Sequence, residues 1–343
     1  MASNIKKNLK ALCNLNGISG RENRVRDYII NEIKDYAEYK VDPLGNLIVY
    51  KKGKNRAKNK VMLDAHTDEV GLIVTGVSAE GFLSFSKVGG IDNKVIIGRN
   101  VLVGEKKIPG VLGIKPIHLI EKDEEQNVPK DDDMYIDIGA KNREDALADV
   151  LLGDEVTFES GFVEFGDGFI KAKAVDNRAG CAILIDLIQS ELEYDCIFTF
   201  TVQEEIGTRG AGTAAFEVQP DYAIVAETTT AADISGVKGE NRVCVCGDGP
   251  AVSFMDNSTV YNMEIYNRAL ELGKEKGIKC QTKTKVAGGN NARSIHTSRG
   301  GVITQVISLP TRYLHSPCCV CKYDDIEASR ELIKALAEDL AVR

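Results

Sequence analysis

Two histidines and an aspartate follow apolar stretches of this sequence, and their side chains are of the types that bind divalent cations. His66 and Asp68 follow the apolar run Val61–Ala65, and His315 lies in a short polar loop after Val302–Leu309. Imidazole nitrogen and carboxylate oxygen together suit zinc, cobalt or manganese. The pattern indicates a metal site assembled from distant parts of the chain.

The spacing of His66 and Asp68 allows one to orient the other. In an extended chain, residues two apart point to the same side. A carboxylate placed there can accept a hydrogen bond from the second ring nitrogen of a metal-bound histidine and so fix its tautomer. A lone His-x-Asp is, however, more typical of a surface turn.

Four more acidic residues end apolar segments. Asp176 follows the apolar stretch Ile170–Val175 and precedes a predicted helix, so on its own it is more typical of a helix N-cap. Glu204 and Glu205 are adjacent at the end of an apolar strand, and Glu227 ends another. Because adjacent acids repel, the pair is favoured there if a cation neutralises one and the other takes protons. A solvated strand end is the ordinary alternative.

The elements that must position these residues are strands alternating with helices. From residue 169 onwards the apolar patterns predict strands at Ile170–Val175, Ile197–Val202 and Tyr222–Ala226, with helices at Arg178–Gln189, Val260–Lys276 and Ile326–Leu340. This alternation predicts an α/β fold with a largely parallel or mixed sheet sandwiched by helices. Such sheets gather ligands at the carboxyl ends of their strands.

A β-rich stretch separates His66 from the other candidate residues. Short strands are predicted at Leu72–Val77, Phe82–Val88, Val95–Val103, Val111–Ile114 and Tyr135–Ile138, with a charged loop at Glu121–Asp133. They predict a small inserted β-barrel or sandwich. The catalytic domain is therefore expected at residues 1–69 and 166–343, interrupted by an insert at residues 70–165.

Composition limits the class of protein. The 343 residues carry a formal net charge of −8, which argues against binding to nucleic acid or to an anionic membrane surface. No apolar stretch approaches the roughly 20 residues of a membrane span, and the first residues lack a signal-peptide pattern. We expect a cytoplasmic protein whose nine cysteines are reduced.

Five segments together resemble the tetrahedral aminopeptidase family. That family comprises dinuclear metallopeptidases described as glutamyl or deblocking aminopeptidases, and some members have been labelled endoglucanases. The segments that carry the resemblance, in family order, are Asp64–Gly71 (DAHTDEVG), Ala174–Gly180 (AVDNRAG), Val202–Ala211 (VQEEIGTRGA), Glu227–Asp233 (ETTTAAD) and Pro310–Pro317 (PTRYLHSP).

The resemblance implies two divalent metal ions per subunit. Zinc and cobalt are the expected metals, and manganese is a further option. It implies two ligand groups that share Asp176: His66, Asp176 and Glu227 for one ion, and Asp176, Glu205 and His315 for the other. Asp68 would orient His66, and Glu204 would be the general base. Metal-activated water would then attack the peptide bond.

The function expected from this resemblance is an aminopeptidase that removes N-terminal residues from short peptides. Its subunits would form dimers, through the insert, that assemble into a twelve-subunit shell. Glu227 stands where many relatives have Asp, so a metal-dependent carboxypeptidase or an N-acyl-amino-acid hydrolase is the nearest alternative.

Two further classes of protein function remain as alternatives. An endoglucanase would use Glu204 and Glu205 as its carboxylate pair, although adjacent residues seldom flank a glycosidic bond. A non-catalytic assembly protein that kept the fold is the other. Of the remaining histidines, His118 in the insert and His296 are each more typical of a structural histidine than of a site residue. Arg293, in the segment Gly288–Arg293, either favours acidic substrates or forms a surface ion pair.

Overall fold

The computed structural model of the protein describes residues 4–119 and 127–343. The first part of the expected charged loop, residues 121–126, lies outside the described residues. Within the described ranges, none of the helices combines the length and the apolarity that crossing a membrane would need. All nine cysteines are free thiols.

Strands and helices both occur throughout the described part of the chain. The strands are β1 (Glu38–Val41), β2 (Leu47–Lys51), β3 (Val61–His66), β4 (Gly71–Val77), β5 (Leu83–Val88), β6 (Asn100–Val103), β7 (Ile108–Ile114), β8 (Met134–Asp137), β9 (Glu155–Phe158), β10 (Val163–Phe165), β11 (Phe169–Ala172), β12 (Cys196–Thr201), β13 (Tyr222–Thr230), β14 (Ala251–Val252), β15 (Gln281–Thr282), β16 (Ile303–Thr311) and β17 (Cys319–Lys322). The helices are α1 (Ile5–Cys13), α2 (Asn23–Ile33), α3 (Asn93–Ile96), α4 (Arg143–Leu147), α5 (Val175–Gln189), α6 (Arg209–Val218), α7 (Met263–Lys276), α8 (Ala292–Ile295) and α9 (Tyr323–Leu340).

The main sheet is mixed and has eight strands in the order β1-β2-β12-β3-β13-β16-β14-β15. The four central strands β12, β3, β13 and β16 run parallel, whereas β2 and β14 pair antiparallel with their inner neighbours. Every residue of β3 is buried, as expected of a strand inside a parallel sheet that is covered on both faces. The predicted mixed sheet is confirmed.

Helices cover both faces of this sheet. On one face, α1, α2, α5 and α9 enclose the larger core, which includes Leu63, Phe198 and Ile224. On the other face, α6 and α8 pack against a smaller core that includes Met62 and Val225. Successive strand residues thus alternate between two apolar layers, which explains the continuous apolar runs in the sequence.

The β-rich stretch forms a closed six-stranded barrel in the order β4-β5-β8-β7-β6-β9. It has its own apolar core, with Leu72, Val101 and Ile136 among its members. The predicted inserted barrel is confirmed. The single strand expected at Val95–Val103 is wrong, because Asp92 Oδ1 accepts a hydrogen bond from Lys94 N at 2.9 Å and begins helix α3 before β6.

The strand expected at Ile170–Val175 does not join the main sheet. It is shorter, as β11, and pairs antiparallel with β10 and β17 in a separate three-stranded sheet. One of its partner strands, β17, is distant in sequence: Ile170 lies opposite Cys321. The chain then turns directly into α5, so Asp176 is delivered by the start of a helix.

Close packing between α5 and β13 yields a stability prediction. A Cβ added to Gly180 would meet Asn177 Oδ1 first, and would lie 2.5 Å from the carbonyl oxygen of Ala226 on β13. We expect Gly180→Ala to lower the free energy of unfolding by about 1–3 kcal/mol, because this overpacking outweighs the better helix propensity of alanine. Urea unfolding of the metal-free protein measures it.

Gly212 on α6 is the matched control. A Cβ there would meet Ser294 Cβ at 3.6 Å, which is ordinary van der Waals contact. Gly212→Ala should therefore leave the free energy of unfolding unchanged or raise it by up to about 1 kcal/mol. Equal stability of the two variants would contradict tight packing of α5 on β13.

Candidate metal centre

The candidate site residues lie at one edge of the main sheet, where the parallel strands end. His66 is the last residue of β3, Glu204 and Glu205 follow β12, and Glu227 lies near the end of β13. His315 follows β16, the next parallel strand. Because parallel strands end at the same edge, residues far apart in sequence meet there.

His66 directs one ring nitrogen at two carboxylates. Its Nε2 lies 3.2 Å from Asp176 Oδ1 and 3.6 Å from Glu227 Oε1. Its Nδ1 lies 3.1 Å from the backbone oxygen of Asp68 and 3.4 Å from Asp68 Oδ1. Both neighbours of Nδ1 are acceptors, so this nitrogen carries a proton and Nε2 is the nitrogen that can bind a cation. Burial opposes protonation of His66, but the carboxylates of Glu227, Asp176 and Asp68 raise its pKa well above the ordinary value, so a cation must displace a proton from Nε2.

His315 has the same arrangement on the other side of Asp176. Its Nε2 lies 3.2 Å from Asp176 Oδ2 and 3.6 Å from Glu205 Oε2. Its Nδ1 donates to the carbonyl oxygen of Gly90 at 2.8 Å. Gly90 lies between β5 and α3, so the segment that forms the barrel orients this imidazole.

The Asp176 carboxylate stands between the two histidines, one oxygen toward each. The expectation that it caps a helix is wrong. Ala174 occupies the N-cap position with φ 54°, and Asp176 itself has a non-helical ψ of 106°. Asn177 makes the capping contact instead, since its Oδ1 accepts from Gly180 N at 3.1 Å. The Asp176 carboxylate is thereby free to face the site.

Two groups of side chains place their donor atoms close enough to hold a cation. His66, Asp176 and Glu227 form one, and Asp176, Glu205 and His315 form the other, with the donor atoms of each group within 4.8 Å of one another. His66, Glu204 and Glu205 meet the same criterion. Glu205 Oε1 and Glu227 Oε2 are buried and have no hydrogen-bond partner within the described residues. A buried, unpaired carboxylate oxygen is costly, and a divalent cation would satisfy it.

The protonation of the metal-free site reflects this crowding. Burial, together with the charge of Asp176, raises the pKa of Glu205 to about 8 and that of Glu227 to about 7. Burial and the carboxylates around it likewise raise the pKa of Glu204 well above its ordinary value. Burial opposes protonation of His315, but the hydrogen bond to Asp176 and the charge of Glu205 raise its pKa to about 10. Carboxylates are thus packed more closely than their charges favour.

Asp68 connects His66 to the residues after β12. Its Oδ1 accepts from Glu204 N and its Oδ2 from Glu205 N, each at 3.0 Å. Burial opposes ionisation of Asp68, but His66 holds its pKa below the ordinary value. Asp68 is therefore an anion that orients both an imidazole and the backbone of the two glutamates.

The structure also shows a supporting residue that the sequence did not indicate. Asn291 Nδ2 donates to Asp64 Oδ2 and to Thr201 Oγ1, each at 2.8 Å, and all three residues are buried. This bridge ties the strand that bears His66 to the end of β12. Asn291 is a polar residue in a glycine-rich segment, and nothing in its sequence neighbourhood indicates that its side chain is buried.

The other residues considered from the sequence lie outside these groups. His118 is exposed in the barrel segment. His296 Nδ1 lies 2.6 Å from the carbonyl oxygen of Ala292, a contact one turn back in the chain. Arg293 is exposed. By contrast, all seven residues expected to form the site, namely His66, Asp68, Asp176, Glu204, Glu205, Glu227 and His315, lie at this edge of the sheet.

Comparison with known proteins identifies the family. The model of the M42 glutamyl aminopeptidase family matches residues 45–332. The lysyl aminopeptidase of Pyrococcus furiosus is 32% identical over 97% of this chain and 96% of that protein. The TET aminopeptidase of a marine sediment thaumarchaeote superposes with a TM-score of 0.93 at 33% identity, covering 98% of this chain and 96% of that one.

A further solved structure has the same fold. It is the Pyrococcus horikoshii TET1 peptidase, described as assembling into a tetrahedron or a large octahedral shell. It superposes with a TM-score of 0.85 at 37% identity, covering 97% of this chain and 99% of that one. The expected resemblance and the expected class, a peptidase, are confirmed. The chain belongs to the M42 glutamyl aminopeptidase family.

Proposed function

We propose that the protein is a two-metal aminopeptidase that removes N-terminal residues from short peptides. One observation carries the two-metal assignment: the Asp176 carboxylate lies 3.2 Å from an imidazole on each side. Each oxygen thus belongs to its own three-residue group. His66 and Glu227 would complete one cation site, and Glu205 and His315 the other.

The donor set fits divalent cations that accept both nitrogen and oxygen ligands. Zinc and cobalt are favoured, and manganese is the further option. When bound, a pair of such ions supplies a Lewis acid for the scissile carbonyl and lowers the pKa of the attacking water. This fit is supported by the buried Glu205 Oε1 and Glu227 Oε2, which have no hydrogen-bond partner in the part of the chain that the structure describes.

Glu204 is the residue best placed to move protons. Its carboxyl lies within the same cluster as His66 and Glu205, while its backbone N–H is held by Asp68. A second carboxylate beside the two ligand groups can take a proton from attacking water and give it to the leaving amine. Asp68 acts only through other residues, by orienting His66 and the backbone at Glu204.

We also propose that the chain self-assembles, as dimers joined through residues 70–165 into a twelve-subunit shell. The shell formed by the P. horikoshii relative supports this proposal. Leu151 and Leu152, 67% and 63% exposed beside the barrel, are large apolar side chains available for such a contact. Size-exclusion chromatography with light scattering tests the assembly, and a monomer at micromolar concentration would contradict it.

The aminopeptidase proposal is tested with matched peptides and metal analysis. We expect two metal ions per chain, release of the first residue from peptides with a free amino group, and loss of activity in chelator. Hydrolysis of amino-blocked peptides alone would instead indicate an N-acyl hydrolase, and release from the other end a carboxypeptidase. Chelator-resistant cleavage of a glucan would indicate an endoglucanase.

Metal affinity should increase with pH. At pH 7 the raised pKa values keep the second proton on His66 and on His315, and a proton on a large fraction of Glu205 and Glu227, in the metal-free protein. A cation must displace these protons, so its affinity rises about tenfold per pH unit for each proton displaced between pH 6 and 8. Calorimetric titration in two buffers of different ionisation enthalpy counts them. Affinity independent of pH would contradict this protonation of the site.

A further inference from the structure

The loop Asn14–Glu22, between α1 and α2, is hydrogen-bonded to Asp68 and Gln203, which follow two strands of the main sheet beside the candidate metal centre. It precedes residue 45, where the match to the family model begins. Ser19, in this loop, donates from its hydroxyl to Asp68 Oδ2 at 2.6 Å. Glu22, at its end, accepts on Oε1 from Gln203 N at 3.1 Å. The loop therefore contacts the chain just after β3 and just after β12.

The hydroxyl of Ser19 completes the set of donors around Asp68. Asp68 Oδ2 accepts from Ser19 and from Glu205 N, whereas Oδ1 accepts from Glu204 N and faces His66 Nδ1. The carboxylate is fully buried. Its rotation is set by these donors, because buried polar atoms orient to satisfy their hydrogen bonds. Ser19 supplies a side-chain hydroxyl to this set, whereas the two glutamates supply backbone N–H groups.

Glu22 holds the backbone before Glu204 in a similar way. Gln203 has φ 57°, a left-handed backbone conformation that costs free energy in residues with a Cβ. Glu22 Oε1 accepts from the N–H of Gln203 and from that of Gly20 at 2.7 Å. This acceptor stabilises the turn that presents Glu204.

The loop is itself anchored to the strand ends. Gly17 and Glu69 exchange backbone and side-chain hydrogen bonds, with Glu69 N donating to Gly17 O at 3.0 Å. Lys173, just before α5, donates to Leu15 O at 2.8 Å and to Glu69 Oε1 at 2.7 Å. A Cβ on Gly17 would lie 2.9 Å from Val25 Cγ2, so the backbone packs closely there. The position of Ser19 is fixed from both sides.

We propose that Ser19 is a positioning residue of the metal centre. Its hydroxyl holds the Asp68 carboxylate in the rotation that orients His66 and the backbone at Glu204. The inference rests on the proposed function, but metal binding tests it independently of turnover. Loss of an outer partner of a metal-bound histidine typically lowers metal affinity or activity 10- to 100-fold.

The test compares Ser19→Ala with Ser19→Thr, which keeps a hydroxyl, and with Ser190→Ala. Ser190 caps the far end of α5, about 20 Å along the helix from Asp176. Cobalt is titrated into each metal-free variant, its visible absorption spectrum is recorded, and kcat and KM are measured on one aminoacyl substrate. We expect Ser19→Ala to weaken cobalt binding about 10-fold, the lower end of that range because Ser19 acts through Asp68, to change the spectrum, and to lower kcat with little change in KM.

The controls separate positioning from general disturbance. Ser19→Thr should keep near-normal cobalt affinity and spectrum, and Ser190→Ala should match the unmodified protein. Unchanged cobalt affinity, spectrum and kcat in Ser19→Ala would overturn the proposal, as would equal losses in Ser190→Ala. If the unmodified protein cleaves no peptide, the proposed function fails, while the cobalt measurements still decide the role of Ser19.

Discussion

Replacement of Glu204 by glutamine should lower kcat by a factor of about 10² to 10⁴, the usual contribution of a positioned general base. Glutamine has nearly the same shape but cannot take up a proton. The backbone N–H of residue 204 would still donate to Asp68, so the arrangement around His66 is retained. Metal content should therefore stay at two ions per chain while turnover falls. Steady-state kinetics with metal analysis measure both.

The control for this substitution is Glu191→Gln. The Glu191 side chain is 86% exposed, so its replacement removes the same charge far from the site and should leave kcat unchanged. Wild-type turnover in Glu204→Gln would show that another group takes the proton. Loss of one or both metal ions in that variant would instead make Glu204 a ligand, contrary to the role proposed for it.

Replacement of Asp176 by asparagine should have the larger effect on metal content. An amide offers one uncharged oxygen, whereas the carboxylate presents an oxygen to each histidine at 3.2 Å. At least one ion per chain should be lost. With it goes several kcal/mol of charge stabilisation in the transition state, which corresponds to a fall in kcat/KM of about 10³-fold or more.

Asp167→Asn is the matched control for Asp176→Asn. The Asp167 side chain is 96% exposed, and its replacement should change neither metal content nor kcat/KM. Plasma emission spectrometry of dialysed protein gives the metal content. If Asp176→Asn retains two ions and normal kinetics, the shared carboxylate is not a bridge and the two-metal proposal is wrong.

Local patterns predicted those parts of the fold that depend on neighbours in sequence. The apolar run that became β3 indicated a strand buried on both faces, and the short alternating runs indicated the barrel. The assignment of Ile170–Val175 to the main sheet failed, because β11 is selected by its pairing with β17, far along the chain. At Val95 a side-chain cap begins a helix within a β-rich segment.

The clustering of the candidate site side chains was predicted less well from local chemistry than from the resemblance. Each of His66, Asp176 and Glu204 taken alone also suits an ordinary structural position, and the sheet topology is what brings them together. The family resemblance grouped these residues because it depends on five segments of the sequence together. Contacts such as Gly90 with His315 and Ser19 with Asp68 leave no pattern in the sequence, since they join a backbone carbonyl or a small hydroxyl to a distant residue.

The central place of β3 also delays completion of the main sheet during synthesis of the chain. The two edges of β3 pair with β12 and β13, and β12 begins roughly 130 residues after β3 ends. At about 5–20 residues per second, about 7 to 26 seconds pass before the first partner strand of β3 is synthesised. The six barrel strands, which close on one another, are all synthesised within that interval. During that interval the apolar strand β3 is without its sheet partners, and an unpaired strand of this kind is prone to aggregate.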